Sequence, residues 1–391
     1  MFLPKYVQKA ISNLEQKGFE AYVVGGCVRN SLLKRRVYDY DITTSALPHQ
    51  IKDTFKNYKT IDTGILHGTV TVIISGKTLE ITTFRQDGSY NDFRHPSGVT
   101  FLKNLEGDLS RRDFTVNCLA YNQKSGIIDL FGGQKDLESK ILRTVGNANE
   151  RFSEDALRIL RGMRFCAQHS LAAEENTKNA MIKNRHLLSN VSKERIFAEL
   201  KKLICSNGAV RVMSDYKEVF SFIMPEFIFN EGSISALKEL PKDFSLRFAA
   251  LFSQLDSSTA VKVLSRLKCD NNTIQKVSLL LENLSSPIDT KSQIKRLLCD
   301  ISPSVFLDLL KLKKAVQSLD ISPALSLFEE ILQNKECYLV SELDITGDDL
   351  LKFGFKGKEI GAALKLLLDA VIEERLPNEK QKLISFVKEQ K

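Results

Sequence analysis

Val23-Val24-Gly25-Gly26-Cys27-Val28-Arg29, followed ten residues on by Asp39-Tyr40-Asp41-Ile42, is the stretch on which the fold turns. A glycine pair opens a turn after an apolar run, and an arginine stands just beyond it. Two carboxylates then occur at i and i+2. On a strand, Asp39 and Asp41 share one face while Tyr38 and Tyr40 take the other. Gly25 and Gly26 offer unhindered backbone N–H groups beside a helix start, which suits phosphate. Paired carboxylates beside such a turn fit a divalent metal and a nucleoside triphosphate. Either element alone fits a solvated turn equally well; their order and closeness favour the chemistry.

Working outward, 391 residues exceed the usual size of one domain, so two to four domains are expected. A hydrophobic share of 43% supplies real cores, and 27% charged residues is ordinary for a soluble protein. The net charge of +8 leans toward a polyanionic partner. The seven cysteines are scattered and never form Cys-x-x-Cys. Neither a disulfide framework nor a thiolate zinc site is indicated, and a reducing compartment follows. No apolar run reaches membrane-spanning length and the N-terminus lacks a signal-like core, so a cytoplasmic chain with no membrane partner is expected.

The first ~145 residues are rich in β-branched runs and glycine turns. Residues 70–74 and 79–84 form two such runs, joined as a hairpin by Ser75-Gly76-Lys77-Thr78. Residues 99–102 and 115–121 pattern as further strands, and helices are expected near 4–17, 26–34 and 47–56. The polar segment 86–96 reads as a mobile loop. From about Asn149 helical periodicity takes over. Ser153-Glu154-Asp155 carries a capping serine and first-turn acids, which predicts a helix start. Ala156, Ile159, Leu160 and Met163 then mark its buried stripe. A helix over 193–204 follows, and amphipathic helices continue to Lys391. The fold class is α+β: a head with a small mixed β-sheet, followed by an all-helical remainder.

Three further sets of residues carry possible chemistry. Glu80, between Leu79 and Ile81, adds a third carboxylate to the same sheet. Two metals held there would activate a hydroxyl nucleophile and stabilise departing pyrophosphate. In Arg111-Arg112-Asp113-Phe114-Thr115-Val116-Asn117, either the charges are merely solvated, or Asp113 binds a ribose hydroxyl while an arginine holds phosphate. Asp155, Arg158 and Arg161 occupy the arc opposite the apolar stripe. The plain account is an i,i+3 ion pair on a wet face, worth a few tenths of a kcal/mol. The sharper account is a nucleobase reader. A carboxylate only accepts and a guanidinium only donates, which matches the amino donor and ring acceptor shared by cytosine and adenine. Guanine and uracil present N–H where that acceptor stands. Such discrimination is worth roughly 1–3 kcal/mol per bidentate contact. The five histidines are isolated, and no nucleophilic triad is evident.

Together these residues resemble the class II tRNA nucleotidyltransferase and poly(A) polymerase family. The resemblance rests on Gly25 to Arg29, Asp39-Tyr40-Asp41, His67-Gly68-Thr69, Glu80 to Arg85, Arg111 to Asn117, Asp129-Leu130-Phe131-Gly132-Gly133 and Glu154 to Arg158. Gly357-Lys358-Glu359-Ile360-Gly361 is similar to the family's tail segment. It implies a nucleotidyltransferase head over 1–145 with a five-stranded catalytic sheet, a neck over 146–206, a body over 207–300 and a tail over 301–391. It further implies Mg2+ on Asp39 and Asp41, with Glu80 as their catalytic companion. Nucleotide contacts would come from Gly25, Gly26, Arg29, Arg111, Arg112, Asp113, Asn117, Arg161 and Arg164, with Asp155 and Arg158 selecting CTP and ATP without a template. The acceptor would be the 3′ end of tRNA, its backbone met by Lys352, Lys356 and Lys358.

Two positions depart from the family pattern: Asn30 stands where Asp is usual, and Lys34 where glycine is common. Among the family's activities, addition of CCA is expected, with A-only addition and poly(A) synthesis as alternatives. The segment 86–96 resembles the flexible loop of CCA- and A-adding members and disfavours CC-only addition. A non-catalytic RNA-binding module would have lost a metal carboxylate, and Asp39, Asp41 and Glu80 are all present.

Overall fold

The computed structural model describes residues 1–62, 64–88 and 98–389. Its strands are β1 (Ala21–Val24), β2 (Asp41–Thr44), β3 (Lys59–Ile61), β4 (Thr69–Ile74), β5 (Lys77–Thr83), β6 (Arg85–Asp87), β7 (Val99–Phe101), β8 (Leu119–Asn122) and β9 (Gly126–Asp129), with a short parallel pair, β10 (Ile141–Leu142) and β11 (Ala172–Ala173), beyond them. Seven of them form one sheet in the order β3-β4-β5-β2-β1-β8-β9, and β6 pairs with β7 in a separate ribbon. Only the β2–β5 pairing within the seven-stranded sheet is parallel. The resemblance implied five strands; β3 and β9, both short edges, bring the sheet to seven.

The hairpin of β4 and β5 follows from its sequence. Val70, Val72 and Ile74 alternate inward and face Leu79 and Ile81. Ser75 and Gly76 both take left-handed φ, 52° and 72°, as a tight turn matching the strand twist requires. Glu80 stands on the opposite, exposed face of β5.

Helices α1 (Lys5–Gln16), α2 (Gly26–Leu32) and α3 (Pro48–Thr54) agree with expectation to within a few residues. Two strand expectations need correction. The strand carrying the paired aspartates begins only at Asp41. Its neighbour β1 ends at Val24, opposite Asp41, where the chain turns into α2, so Asp39 finds no partner on the β1 side. Residues 115–121 are not strand throughout: Thr115–Asn117 is a short 3-10 turn and β8 starts at Leu119. The loop expected over 86–96 begins inside β6, and residues 89–97 lie outside the described residues.

Helix α4 (Leu105–Ser110) precedes the arginine pair, and α5 (Gly133–Glu138) follows the sheet. Asp129 explains the start of α5, because its two carboxylate oxygens accept from the N–H groups of Gly133 and Gln134 at 2.8 and 2.9 Å. Gly133 lies so close to the 3-10 turn that a Cβ there would stand 2.3 Å from the Thr115 carbonyl oxygen.

The helix predicted from Ser153 is in fact two. Helix α6 (Ala148–Glu154) is capped by the Asn147 side chain. Asp155 then takes extended angles (φ −141°, ψ 101°), and α7 (Leu157–His169) begins anew. Asn147 outcompetes Ser153 as a start signal, and the Ser153 hydroxyl donates back to the Asn149 carbonyl. The stripe of Ala156, Ile159, Leu160 and Met163 is fully buried as expected. Helices α8 (Glu175–Lys183) and α9 (Lys193–Ile204) complete the surroundings of α7, and α9 has the predicted bounds.

The chain divides into two compact units, Met1–Pro225 and Glu226–Lys391. The second is helical in its described residues. Phe248 stacks on Phe252 at 4.5 Å in its interior, and Leu350, Leu367, Leu368 and Leu383 build a further cluster toward its end. Lys352, Lys356 and Lys358 are exposed around the turn that contains Gly354 and Gly357. No helix in the described residues is long and apolar enough to cross a membrane.

Gly133→Ala is expected to destabilise the first unit by about 1–3 kcal/mol, because backbone must shift to admit the methyl group. Urea unfolding monitored by circular dichroism measures it, and an unchanged midpoint would contradict the close approach.

Candidate active site

Helix α2, the Arg112–Asn117 segment and helix α7 wall a cavity of about 430 Å³. Gly25, Gly26, Arg29, Asp41, Arg112, Asp113, Asn117, Asp155, Arg158, Arg161, Arg164 and Phe165 line it. Eleven of these twelve were singled out from the sequence, and Phe165 was not. Asp39, Glu80 and Arg111 are not among the lining residues.

The carboxylates stand at the sheet end of the site. Asp41 and Glu80 are direct partners in the parallel β2–β5 register, so their side chains share a face. Removal from water at the cavity mouth, then the charge of Glu80, then Asp39, raise the Asp41 carboxyl above its ordinary range, against a lowering by Arg112. Unrelieved like charge of this kind is what a hard cation compensates. Among the described residues no three His, Cys, Asp or Glu side chains converge as a ready-made metal cluster. One or two carboxylates, completed by substrate phosphate and water, are enough for a divalent cation, and Asp41, with Glu80 beside it in register, offers such oxygen donors.

Opposite lies a concentration of guanidinium groups. Asp113 is buried and fully engaged. Its Oδ1 accepts from the Phe114 N–H and Asn117 Nδ2, and its Oδ2 accepts from Arg161 Nε and Nη2 at 2.9 and 2.7 Å. Burial alone would raise this carboxyl, but Arg161 and the bond from Asn117 bring it down to about 2. All four of its acceptor positions are taken, so a ribose hydroxyl would have to displace one of these donors. Asn117 also accepts from Arg29. Arg29 is buried, and burial together with the nearby Arg164, Arg161 and Arg35 lowers it to about 10 despite the charge of Asp113. Asn30, at the position where the family usually has Asp, still accepts from Arg29 at 3.1 Å.

Phe165 is the residue that sequence reasoning missed. Its ring has Arg164 at 4.2 Å, Arg29 at 5.0 Å and Arg161 at 5.4 Å from the centroid. The negative face of an aromatic ring attracts cations at such distances, by about 0.5–2 kcal/mol each when desolvated. One ring thereby helps hold three like charges together. Spacing alone shows Phe165 as one more apolar residue on a helix; its occurrence one residue after Arg164 and one turn after Arg161 was the available signal. Glu199 of α9 pairs with Arg164, and Arg195 of α9 with Asp155 at 2.9 Å. Buried Asp108 holds both Arg111 and Arg112.

The i,i+3 ion pair between Asp155 and Arg158 does not form. Asp155 is bound to Arg195 and accepts from the Leu157 N–H, whereas Arg158 pairs with Glu154 and donates to the Arg111 carbonyl. Nor is Arg158 on a wet face, being 8% exposed. Each therefore enters the cavity with its orientation set from behind.

One phosphate-cradle expectation is corrected. The Gly25 N–H already donates to the Leu119 carbonyl at 3.0 Å. The role of Gly25 is steric: its φ is +74°, and a Cβ would come within 3.3 Å of Arg112 Nη1. Arg112 Nε is buried without a hydrogen-bond partner, while its Nη2 donates to Asp108 at 3.1 Å.

The low Asp113 pKa has a direct consequence. A carboxyl depressed from 3.8 to about 2 adds stability above pH 4 that is lost as pH falls from about 4 to about 2. Asp113→Asn is expected to cost about 2 kcal/mol at pH 7, with the gap to the parent narrowing through that acid window. Unfolding titrations at pH 7, 4 and 2.5 measure this; a gap constant with pH would refute it.

Comparison with known proteins agrees with this geometry. Residues 21–143 match the Poly A polymerase head domain, 171–228 a probable RNA and SrmB-binding site of polymerase A, and 243–387 a tRNA nucleotidyltransferase domain 2. A CCA-adding enzyme of Lactobacillus delbrueckii is 37% identical over 382 residues, covering 96% of both chains. One from Streptococcus gordonii is 36% identical over 100% of this chain and 99% of its own. Among solved structures, the CCA-adding enzyme of Bacillus stearothermophilus in complex with CTP superposes with a TM-score of 0.84. It is 30% identical and covers 100% of this chain and 98% of its own. The Thermotoga maritima CCA-adding enzyme complexed with tRNA shares the fold, with a TM-score of 0.71 at 20% identity. The chain belongs to the CCA-adding tRNA nucleotidyltransferases.

Proposed function

We propose that this protein adds C, C and A in turn to the 3′ end of tRNA, using CTP and ATP without a nucleic-acid template and releasing pyrophosphate. The observation that carries the proposal is a single cavity that contains Asp41, the guanidinium cluster and the Asp155/Arg158 pair. The reaction joins the terminal ribose 3′ oxygen to the α-phosphorus as the bond to the β-phosphate oxygen breaks.

In this reading Asp39 and Asp41 hold Mg2+, which would polarise the α-phosphate and neutralise charge on the departing pyrophosphate. Glu80 stands beside Asp41 and sets the local charge. Arg29 lacks a carboxylate partner among the described residues, its side chain bonding instead to Asn117 and Asn30, which leaves its charge for a triphosphate. Arg112, Arg161 and Arg164 complete the anion site, with Gly25 and Gly26 providing room. Arg111, tied to Asp108, acts behind it. The sugar is met by the segment around Asp113, where Asp113 itself fixes Arg161 and Asn117. Asp155 accepts the exocyclic amino group of C or A while Arg158 donates to the ring nitrogen.

We assign residues 1–145 to a catalytic head, 146–206 to a neck, 207–300 to a body and 301–391 to a tail. Lys352, Lys356 and Lys358 contact tRNA phosphates, and the place of action is the cytoplasm.

The test is incorporation into tRNAs ending at the discriminator base, after one C and after two Cs, with CTP and ATP together or apart. Completion from the discriminator base supports CCA addition; extension of only the two-C substrate or a long ladder would overturn it. Asp41→Ala should abolish incorporation while leaving tRNA binding within about twofold, and undiminished turnover would refute the metal assignment. Arg158→Ala should relax the preference for CTP and ATP over GTP and UTP by about tenfold; unchanged preference would remove the base-reading role.

A further inference from the structure

The segment between α2 and the catalytic carboxylates is Leu33-Lys34-Arg35-Arg36-Val37-Tyr38. Lys34 closes α2 in the left-handed conformation, φ 52°, and turns the chain outward. Arg35 is committed elsewhere, donating to the Gln168 carbonyl at 2.9 Å and lying 2.7 Å from His169 Nδ1. Lys34 and Arg36 are exposed. Tyr38 is 72% exposed, while Tyr40, two residues on, meets Tyr6 edge-on at 6.3 Å and is half-buried. The Arg36 guanidinium lies over the Tyr38 ring at 5.1 Å. A bare aromatic ring backed by a cation, one residue from Asp39, is not needed by the packing of the sheet.

We propose that Tyr38, backed by Arg36 and flanked by Lys34, is a stacking shelf for the unpaired terminal base of the RNA being extended. The inference rests on the polymerising function proposed above. Its chemistry is that of single-stranded RNA sites: an aromatic face for a base and cations for the adjoining phosphates. Tyr38 also immediately precedes Asp39 in the chain, and in the proposed reaction the 3′ hydroxyl must reach Asp39 and Asp41. A further argument comes from the reaction itself. The terminal base changes at each step, from discriminator to C to C. Hydrogen-bond readout of one base edge would fail at the next, whereas every base has a π-face. The shelf therefore accepts any terminus, while selection remains with the incoming nucleotide.

Tyr38→Ala is expected to raise KM for tRNA ending at the discriminator base by about tenfold, with KM for CTP and the melting temperature unchanged. Tyr38→Phe and Tyr38→Trp should retain the parental KM. A second readout is direct: RNA with 2-aminopurine at its 3′ terminus should be quenched by the parent and by Tyr38→Phe, and not by Tyr38→Ala. A KM for Tyr38→Ala within twofold of the parent, or a probe left unquenched by the parent, would overturn the shelf. A parent that quenches the probe but extends no RNA would instead overturn the polymerising function and leave the shelf standing.

Discussion

The Asp113 carboxylate, with two bonds from Arg161 and one from Asn117, joins the segment leading into β8 to helix α7. Through Asn117 the same network reaches Arg29 on α2. Three separate stretches of chain thus meet at one anion, and the arginines around it are held in a cluster that their mutual repulsion would otherwise spread. Phe165 contributes from below, offering a polarised ring in place of a further carboxylate. The design leaves positive charge unspent. Three of the five cavity arginines are answered by carboxylates from outside the cavity, Arg112 by Asp108, Arg158 by Glu154 and Arg164 by Glu199, and Arg29 is met by amides alone.

Much of this could be read from the sequence. Period-two alternation located the β4–β5 hairpin, and the position of Glu80 between two buried residues placed it on the open face beside Asp41. Helix α9 was legible because its periodicity is uninterrupted. Most of the cavity lining followed from charged residues in recognisable order. Local pattern failed where the deciding partner was distant. The strand carrying Asp41 begins where its pairing with β1 ends, and nothing near Asp39 records that limit. The break at Asp155 depends on Asn147 capping a helix upstream and on Arg195, forty residues away, binding the carboxylate. Phe165 has the spacing of a core residue and is one, being 4% exposed, but its second role appears only when Arg29 arrives from another helix.

Asp155 and Arg158 show why the break matters. A continuous helix would have set them one turn apart and let them neutralise each other. The extended conformation at Asp155 separates their partners, so each is satisfied from behind by Arg195 or Glu154. Two opposite charges close in sequence are thereby kept from cancelling each other.

His169 stacks on Phe165 at 6.0 Å, and burial beside Arg29, Arg35 and Arg164 lowers its pKa to about 3. The basic residues lining the cavity are all arginines, which stay protonated throughout the physiological range. The imidazole behind the Phe165 ring is thereby kept neutral. The cationic side of the cavity therefore keeps its charge from mildly acid to mildly alkaline conditions, so that acidification acts on its carboxylates and not on its bases.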